Sequence, residues 1–84
     1  MTAVTVRYFA GARAAAGVPS EDLELADGAT VADLLGEVVE RHGEKLGTVL
    51  TACSFLLDAV AVRDHGVAVP HGAELDVLPP FAGG

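Results

Sequence analysis

The sequence has little cysteine and no long apolar run, and each shortage excludes a class of protein. Cys53 is the single cysteine in 84 residues, so neither an internal disulfide nor a metal-binding Cys pair is possible. The longest uncharged stretch, residues 46–57, is shorter than the roughly 20 residues that cross a bilayer. No basic segment followed by an apolar core begins the chain, so no signal peptide is expected. We therefore expect a soluble, cytoplasmic protein without membrane contact.

Basic residues are also scarce, with five Lys and Arg against twelve Asp and Glu and a net charge of −7. The five are scattered along the chain, and such a surface repels phosphate backbones, which argues against nucleic-acid binding. Two interpretations of the acidic balance remain open. The charge can simply keep the protein soluble, or it can steer the protein toward a basic partner.

The remaining chemistry-bearing side chains predict no metal site and no bound cofactor. His42, His65 and His71 are not at metal-ligand spacing with Cys53 or with a pair of acids. Cys53 lies in an apolar run, which is typical of a small buried hydrophobe. Glu21 and its acidic neighbours are expected along a solvated strand edge.

Residue periodicity in the first half of the chain predicts a hairpin followed by a helix. Val4, Val6 and Tyr8 alternate along a strand at residues 4–9, and a second strand is predicted at 21–25. Between them, residues 11–17 are rich in alanine and allow one or two helical turns. The main helix is predicted to begin after Thr30, a good N-cap. Its apolar face is formed by Val31, Leu34, Leu35 and Val38, and Gly43 ends it.

The second half favours strands. The pattern of residues 44–52 is ambiguous and allows a second short helix. Strands are predicted at residues 54–57 and 59–62, with a bend near Asp58 between them. A last strand is predicted at residues 74–78. Together these elements predict an α+β fold in which a mixed sheet of four to five strands packs on one main helix. The last strand is expected to lie centrally, parallel to the first, and to end at Pro79. The predicted domain is therefore residues 1–80, and residues 81–84 form a flexible tail.

The end of the chain carries the candidate functional group. After Leu78 it runs through Pro79 and Pro80, which favour an extended backbone, to Phe81, Ala82, Gly83 and Gly84. A carboxylate at Gly84 must be activated before it can react, which requires threading these last residues into another protein's site. Glycine suits a narrow channel because it has no Cβ to clash with the walls. The plain alternative, a frayed chain end, does not call for a proline pair directly after a strong strand.

These features resemble one known family. Three features are similar to the MoaD/ThiS family of ubiquitin-like sulfur carriers, and the similarity covers essentially the whole chain. They are the ending Leu78-Pro79-Pro80-Phe81-Ala82-Gly83-Gly84, the opening Val6-Arg7-Tyr8-Phe9-Ala10 and the capped central helix. The proline pair before the glycines is especially similar to the MoaD branch. The resemblance implies a ubiquitin-like β-grasp fold.

The resemblance also implies a function and a set of partners. Gly84 would be adenylated by an E1-like adenylyltransferase of the MoeB/ThiF type that uses ATP, then converted to a thiocarboxylate by a persulfide sulfur donor. Sulfur would pass to a pterin precursor inside a large synthase subunit of the MoaE type, in molybdenum cofactor biosynthesis. The chain would thus be a sulfur-donor subunit whose catalysis belongs to its partners. Gly83 and Gly84 match the tail motif, and the implied partner-binding positions are Phe9, Arg13, Leu78, Pro79, Pro80 and Phe81.

One departure keeps alternatives open. Where the family commonly has a Val-Asn-Gly turn, this chain has Leu57-Asp58-Ala59-Val60. Sulfur carriers of this build also serve thiamin, cysteine or specialised-metabolite pathways, so the acceptor is less well defined than the chemistry. A protein modifier, joined to target lysines through the same carboxylate, needs the same tail. A third alternative is a plain binding module in which the tail has no role.

Overall fold

The computed structural model describes residues 1–80, and the predicted tail of residues 81–84 lies outside that range. Within the described part, the chain forms five strands and three helices. In chain order they are β1 (Thr2–Tyr8), α1 (Ala10–Ala16), β2 (Ser20–Leu25), α2 (Val31–His42), α3 (Glu44–Leu50), β3 (Ser54–Leu57), β4 (Val60–Ala61) and β5 (Ala73–Leu78). Both helical interpretations, of residues 11–17 and of 44–52, are thereby confirmed as short helices.

The five strands form one mixed sheet in the order β2-β1-β5-β3-β4. Strands β1 and β2 are the predicted antiparallel hairpin. Strand β5 lies parallel to β1, with Val6 opposite Leu75 and Tyr8 opposite Val77, and antiparallel to β3 on its other edge. The parallel pair requires a long crossover, which the segment containing α2 supplies. The predicted central position of the last strand is confirmed.

The main helix forms for local reasons that the sequence predicts. The Thr30 hydroxyl accepts a hydrogen bond from the Asp33 N–H at 3.2 Å, and the Asp33 carboxylate accepts one from the Thr30 N–H at 2.9 Å. This reciprocal capping box satisfies two otherwise unpaired donors. Val31, Leu34 and Val38 are fully buried against the sheet. Leu35, predicted on the same face, is only half-buried because it borders an open space between α2 and α3.

The first strand ends one residue earlier than predicted. Strand β1 stops at Tyr8, and Phe9, whose backbone is still extended, is the N-cap residue of α1. Its exposed side chain lies on the same face as Arg7, whose guanidinium approaches the Phe9 ring. The Phe9 carbonyl accepts hydrogen bonds from the N–H groups of Ala12 and Arg13 at 3.0 and 3.3 Å. These bonds form the first turn of the helix, while the Phe9 N–H still donates to the Val77 carbonyl of β5.

The predicted bend near Asp58 is a tight two-residue turn, and β4 is shorter than predicted because Ala59 belongs to this turn. Asp58 and Ala59 have φ values of +49° and +69°, the left-handed pair typical of a type I′ hairpin between β3 and β4. The Asp58 carboxylate also accepts a hydrogen bond from the Glu74 N–H at 2.9 Å. The turn is thereby tied to the start of β5, although Ala59 stands where glycine is favoured.

Candidate functional site

The carboxyl end of β5 is the base from which the predicted functional tail leaves the domain. Leu75 and Val77 are fully buried, and β5 is hydrogen-bonded along both edges, to β1 and to β3. Leu78 and Pro79 are half-buried and Pro80 is exposed. The predicted chemistry-bearing residues Phe81, Ala82, Gly83 and Gly84 lie outside the described residues. What the structure provides is therefore a firmly held strand that delivers the chain to the surface at Pro80.

The predicted partner-binding residues fall at this same end of the sheet. The Phe9 N–H donates a hydrogen bond to the Val77 carbonyl at 3.2 Å, and its side chain is 39% exposed. Leu78 follows Val77 directly. Arg13 is exposed on α1, one helical turn beyond Phe9. Phe9 and Leu78 are far apart in sequence, and the pairing of β1 with β5 brings them together at the point where the predicted tail begins.

An ion pair that sequence reasoning missed joins the two central strands beside Phe9. The Arg7 guanidinium donates to both carboxylate oxygens of Asp76, through Nε at 2.7 Å and Nη2 at 3.0 Å. Its hydrogen bonds and charge attraction to Asp76, with a further contribution from Glu74, raise the pKa of Arg7. The Arg7 guanidinium carbon also lies 5.8 Å from the centre of the Phe9 ring, within cation–π range. The sequence did contain a signal for this ion pair, because Arg7 and Asp76 carry opposite charges at outward positions of two strands that were predicted to lie parallel.

The outer face of the sheet, which points away from α2, is acidic around an apolar strip. Strand alternation puts Asp22, Glu24 and Glu74 on this face. Leu56, which lies opposite Asp76 in the register, and Leu78 are half-buried on the same face. Apolar groups flanked by like charges are typical of protein-binding surfaces, and the sign of the charge suits a basic partner.

Glu21 was expected on a solvated strand edge, and that prediction is wrong. Its side chain is only 12% exposed because it points toward α2 and bonds to three neighbours. The Tyr8 hydroxyl donates to Glu21 Oε2 at 2.6 Å, His42 Nε2 is in hydrogen-bonding contact with the same oxygen, and Arg41 Nη1 lies 3.4 Å from Oε1. The network therefore connects the end of α2 to β1 and β2.

The protonation of this network follows from burial and hydrogen bonding. Burial alone would raise the pKa of Glu21, but hydrogen bonds from Tyr8 and His42 and the charge of Arg41 outweigh it and lower the pKa. Burial, followed by the hydrogen bond to Glu21, raises the pKa of Tyr8 far above its usual value. At neutral pH the pair is therefore an ionised carboxylate accepting from a neutral phenol.

The other singled-out side chains have structural surroundings. His71 Nδ1 accepts a hydrogen bond from the Ala3 N–H at 3.1 Å, and the His65 ring lies edge-on to Phe55 with centres 5.5 Å apart. Cys53 is half-buried, and burial raises the pKa of its thiol. Within residues 1–80, no three His, Cys, Asp or Glu side chains are grouped so as to hold a metal ion. Over the same residues, no helix is long and apolar enough to cross a membrane.

Comparison with known proteins identifies the family. The model of the ThiS family matches residues 6–84. The molybdopterin synthase sulfur carrier subunit of Chlamydomonas reinhardtii is 38% identical over 82 residues, which cover 96% of this chain and 98% of the relative.

Two solved structures have the same fold over nearly their whole length. A putative molybdopterin converting factor subunit 1 from Pyrococcus furiosus superposes with a TM-score of 0.87 at 30% identity, covering 96% of this chain and 100% of that one. SAMP1 of Haloferax volcanii superposes with a TM-score of 0.86 at 27% identity, covering 98% and 99%. The ubiquitin-like β-grasp fold is confirmed, and the chain belongs to the ThiS family, as the resemblance in its sequence predicted.

Proposed function

We propose that this chain is a sulfur carrier in which the carboxylate of Gly84 is converted to a thiocarboxylate and donates its sulfur within molybdopterin synthase. The observation that carries the proposal is the course of β5. A central strand held on both edges leads through Pro79 and Pro80 directly into the Phe-Ala-Gly-Gly sequence. The name of the Chlamydomonas relative, a molybdopterin synthase sulfur carrier subunit, supports this choice of pathway.

The proposed chemistry proceeds in two stages. An E1-like adenylyltransferase transfers AMP from ATP to the Gly84 carboxylate and releases pyrophosphate. The terminal sulfur of a persulfide donor then displaces AMP, and a thiol cleaves the resulting acyl disulfide to give the thiocarboxylate and a new disulfide. The carrier itself supplies the acyl group and its presentation, and the partners supply acid–base chemistry.

The proposed partner surface is the end of the sheet that surrounds the tail. Phe9 and Leu78 offer apolar contacts, Arg13 adds a positive charge, and Pro79 and Pro80 connect this surface to Phe81 and the glycines. Leu56, absent from the sequence-based set, extends this apolar strip across β3. A large synthase subunit and the adenylyltransferase would bind here in turn, because each must receive the same tail.

A second candidate function is protein modification, and the similarity to SAMP1, a small archaeal modifier protein, favours considering it. The same activated Gly84 would then form an isopeptide bond with a lysine of a target. The two functions share the activation step and differ in the acceptor of the acyl group.

Intact-mass spectrometry of the full chain, incubated with an E1-like adenylyltransferase, ATP and a persulfide donor, tests the proposal. We expect a species heavier by the mass difference between sulfur and oxygen, and transfer of that sulfur when a large synthase subunit and its pterin precursor are added. Gly84→Ala should strongly reduce formation of this species. The matched control is Gly11→Ala, because a Cβ at Gly11 in α1 meets no atom within 4 Å.

The outcomes separate the candidates. Isopeptide adducts ending at Gly84, with no thiocarboxylate, would support modification instead. Equal sulfur loading of Gly84→Ala and Gly11→Ala would contradict the argument that a narrow channel requires glycine at the terminus. Loading of a chain extended beyond Gly84 would refute both functions, because such a chain has no carboxylate at Gly84. Loading that proceeds while sulfur passes only to a thiamin or cysteine precursor would refute the molybdopterin assignment alone.

A further inference from the structure

A second apolar surface lies on the helix side of the sheet, between α2 and α3. This surface, which we call the helix groove, is lined mainly by Leu35, Val39, Leu50, Cys53 and Phe55, and its volume is about 450 Å³. That volume lies in the range of roughly 300–1,000 Å³ that is typical of binding pockets. The groove is open to solvent along one side. The sulfur-carrier chemistry proposed above does not use it.

The groove exists because two helix positions have no side chain. Gly36 in α2 and Gly47 in α3 both line it. A Cβ at Gly36 would meet no atom within 4 Å, and one at Gly47 would lie 3.3 Å from Cγ1 of Val39. Glycine is unfavourable inside a helix, and packing at Gly36 does not require it. The two glycines leave Leu35 and Val39 half-exposed where ordinary side chains would cover them.

Acidic residues flank the helix groove, and Arg41, the basic residue next to Glu40, points elsewhere. Glu40 lies one helical turn after Gly36, and Glu44 lies three residues before Gly47, so both are on the groove side of their helices. Asp64 is exposed next to His65, which lines the groove. In contrast, Arg41 bonds to Glu21 on the sheet side of α2. An apolar floor with an acidic rim is complementary to a segment that is apolar on one side and basic on the other.

The position of the groove connects it with the tail. Cys53, which lines the groove, directly precedes Ser54, and Ser54 lies opposite Leu78 in the sheet. One end of the groove is therefore close to the point where the chain leaves the domain. A partner bound at this end of the sheet can therefore extend a further segment into the helix groove.

We propose that the helix groove binds an amphipathic, basic helical segment of a partner protein. Large apolar side chains of that segment pack on Leu35, Val39 and Phe55, and its Lys or Arg residues pair with Glu40, Glu44 and Asp64. This is the helix-in-groove mode of recognition, in which anchors at helical spacing enter an apolar channel. The proposal stands independently of the chemistry at Gly84.

The test uses the full chain, labelled with ¹⁵N, and a synthetic peptide of about 14 residues with Leu and Lys at helical spacing. The same peptide with Glu in place of Lys is the peptide control. Gly36→Leu fills the groove from an exposed position, and Gly36→Ala is the matched variant that leaves it open. Circular dichroism first establishes that both variants are folded. Alkylation of Cys53, the single cysteine, gives a second readout of groove occupancy.

We expect the Lys peptide to shift the amide signals of α2 and α3 and to slow Cys53 alkylation in the natural chain and in Gly36→Ala. In Gly36→Leu its affinity should fall by about tenfold or more, because an anchor contact is lost. The Glu peptide should not bind. Each of four results would overturn the proposal. The Lys peptide could bind Gly36→Leu and Gly36→Ala with equal affinity, or it could shift only the signals of the sheet. The Lys and Glu peptides could bind equally well, or the Lys peptide could fail to bind the natural chain.

Discussion

The turn between β3 and β4 holds an alanine in a conformation that favours glycine, and replacing it should stabilise the protein. Ala59 has a φ of +69° in the described structure. For a residue with a Cβ, the left-handed region costs about 1–2 kcal/mol. Glycine removes that cost but adds about 0.4–1 kcal/mol of chain entropy to the unfolded state. We therefore expect Ala59→Gly to raise the free energy of unfolding by about 0.5–1 kcal/mol.

The assay is thermal and urea denaturation followed by circular dichroism. For a domain of this size, the expected gain corresponds to a rise of about 2–8 °C in the thermal midpoint. The matched control is Ala14→Gly at an exposed position of α1, where the same substitution should cost about 0.5–1 kcal/mol. A loss of stability in Ala59→Gly, or equal effects of the two substitutions, would refute the assignment of strain to the turn.

Three further predictions concern the Arg7–Asp76 ion pair, the core at Leu75 and the hydrogen bonds of Glu21. Arg7→Ala leaves Asp76, whose side chain is 13% exposed, without its bidentate partner. The thermal midpoint of Arg7→Ala should therefore fall, and that of Arg7→Lys should fall less. An unchanged midpoint in Arg7→Ala would show that the pair does not stabilise the protein. Leu75→Ala opens a cavity at a fully buried site and should lower the free energy of unfolding, measured by urea denaturation, by about 2–5 kcal/mol. A decrease below about 1 kcal/mol would contradict the packing described. The lowered pKa of Glu21 means that its stabilising contribution is present above its unfolded value of 4.5 and is lost as pH falls through the folded value. Glu21→Gln should therefore be less stable than the natural chain at pH 7 and differ from it less at pH 3, and a constant difference would argue against the network.

The helices and the burial pattern of the first strand were predictable because each depends on neighbours a few residues away. The alternation of Val4, Val6 and Tyr8 and the N-cap residue Thr30 are visible without any tertiary information. The reciprocal bond of Asp33 to Thr30 was not predicted and was found only in the structure. The tail of residues 81–84 was inferred from composition and order, and it stays a prediction because it lies outside the described residues. The end of β1 was placed one residue too late because Phe9, although still extended, caps α1 through the bonds of its carbonyl to the N–H groups of Ala12 and Arg13. Single-residue boundaries depend on such local bonds.

Contacts between distant residues depended on the register of the sheet. Arg7 and Asp76 are 69 positions apart, and they meet only because β5 lies parallel to β1. Glu21 reads as a surface carboxylate until Tyr8 and His42 are placed against it. A charged residue is buried only where partners satisfy it, and those partners come from other elements.

The amino-acid sequence by itself determined the order of elements, their buried faces and the candidate role of the chain end, because periodicity, capping and glycine content act locally. Only the tertiary structure decided which charges pair, that Ala59 takes a left-handed conformation and that a groove stays open between two helices. Those features arise from the packing of elements against one another, which residues near in sequence do not specify.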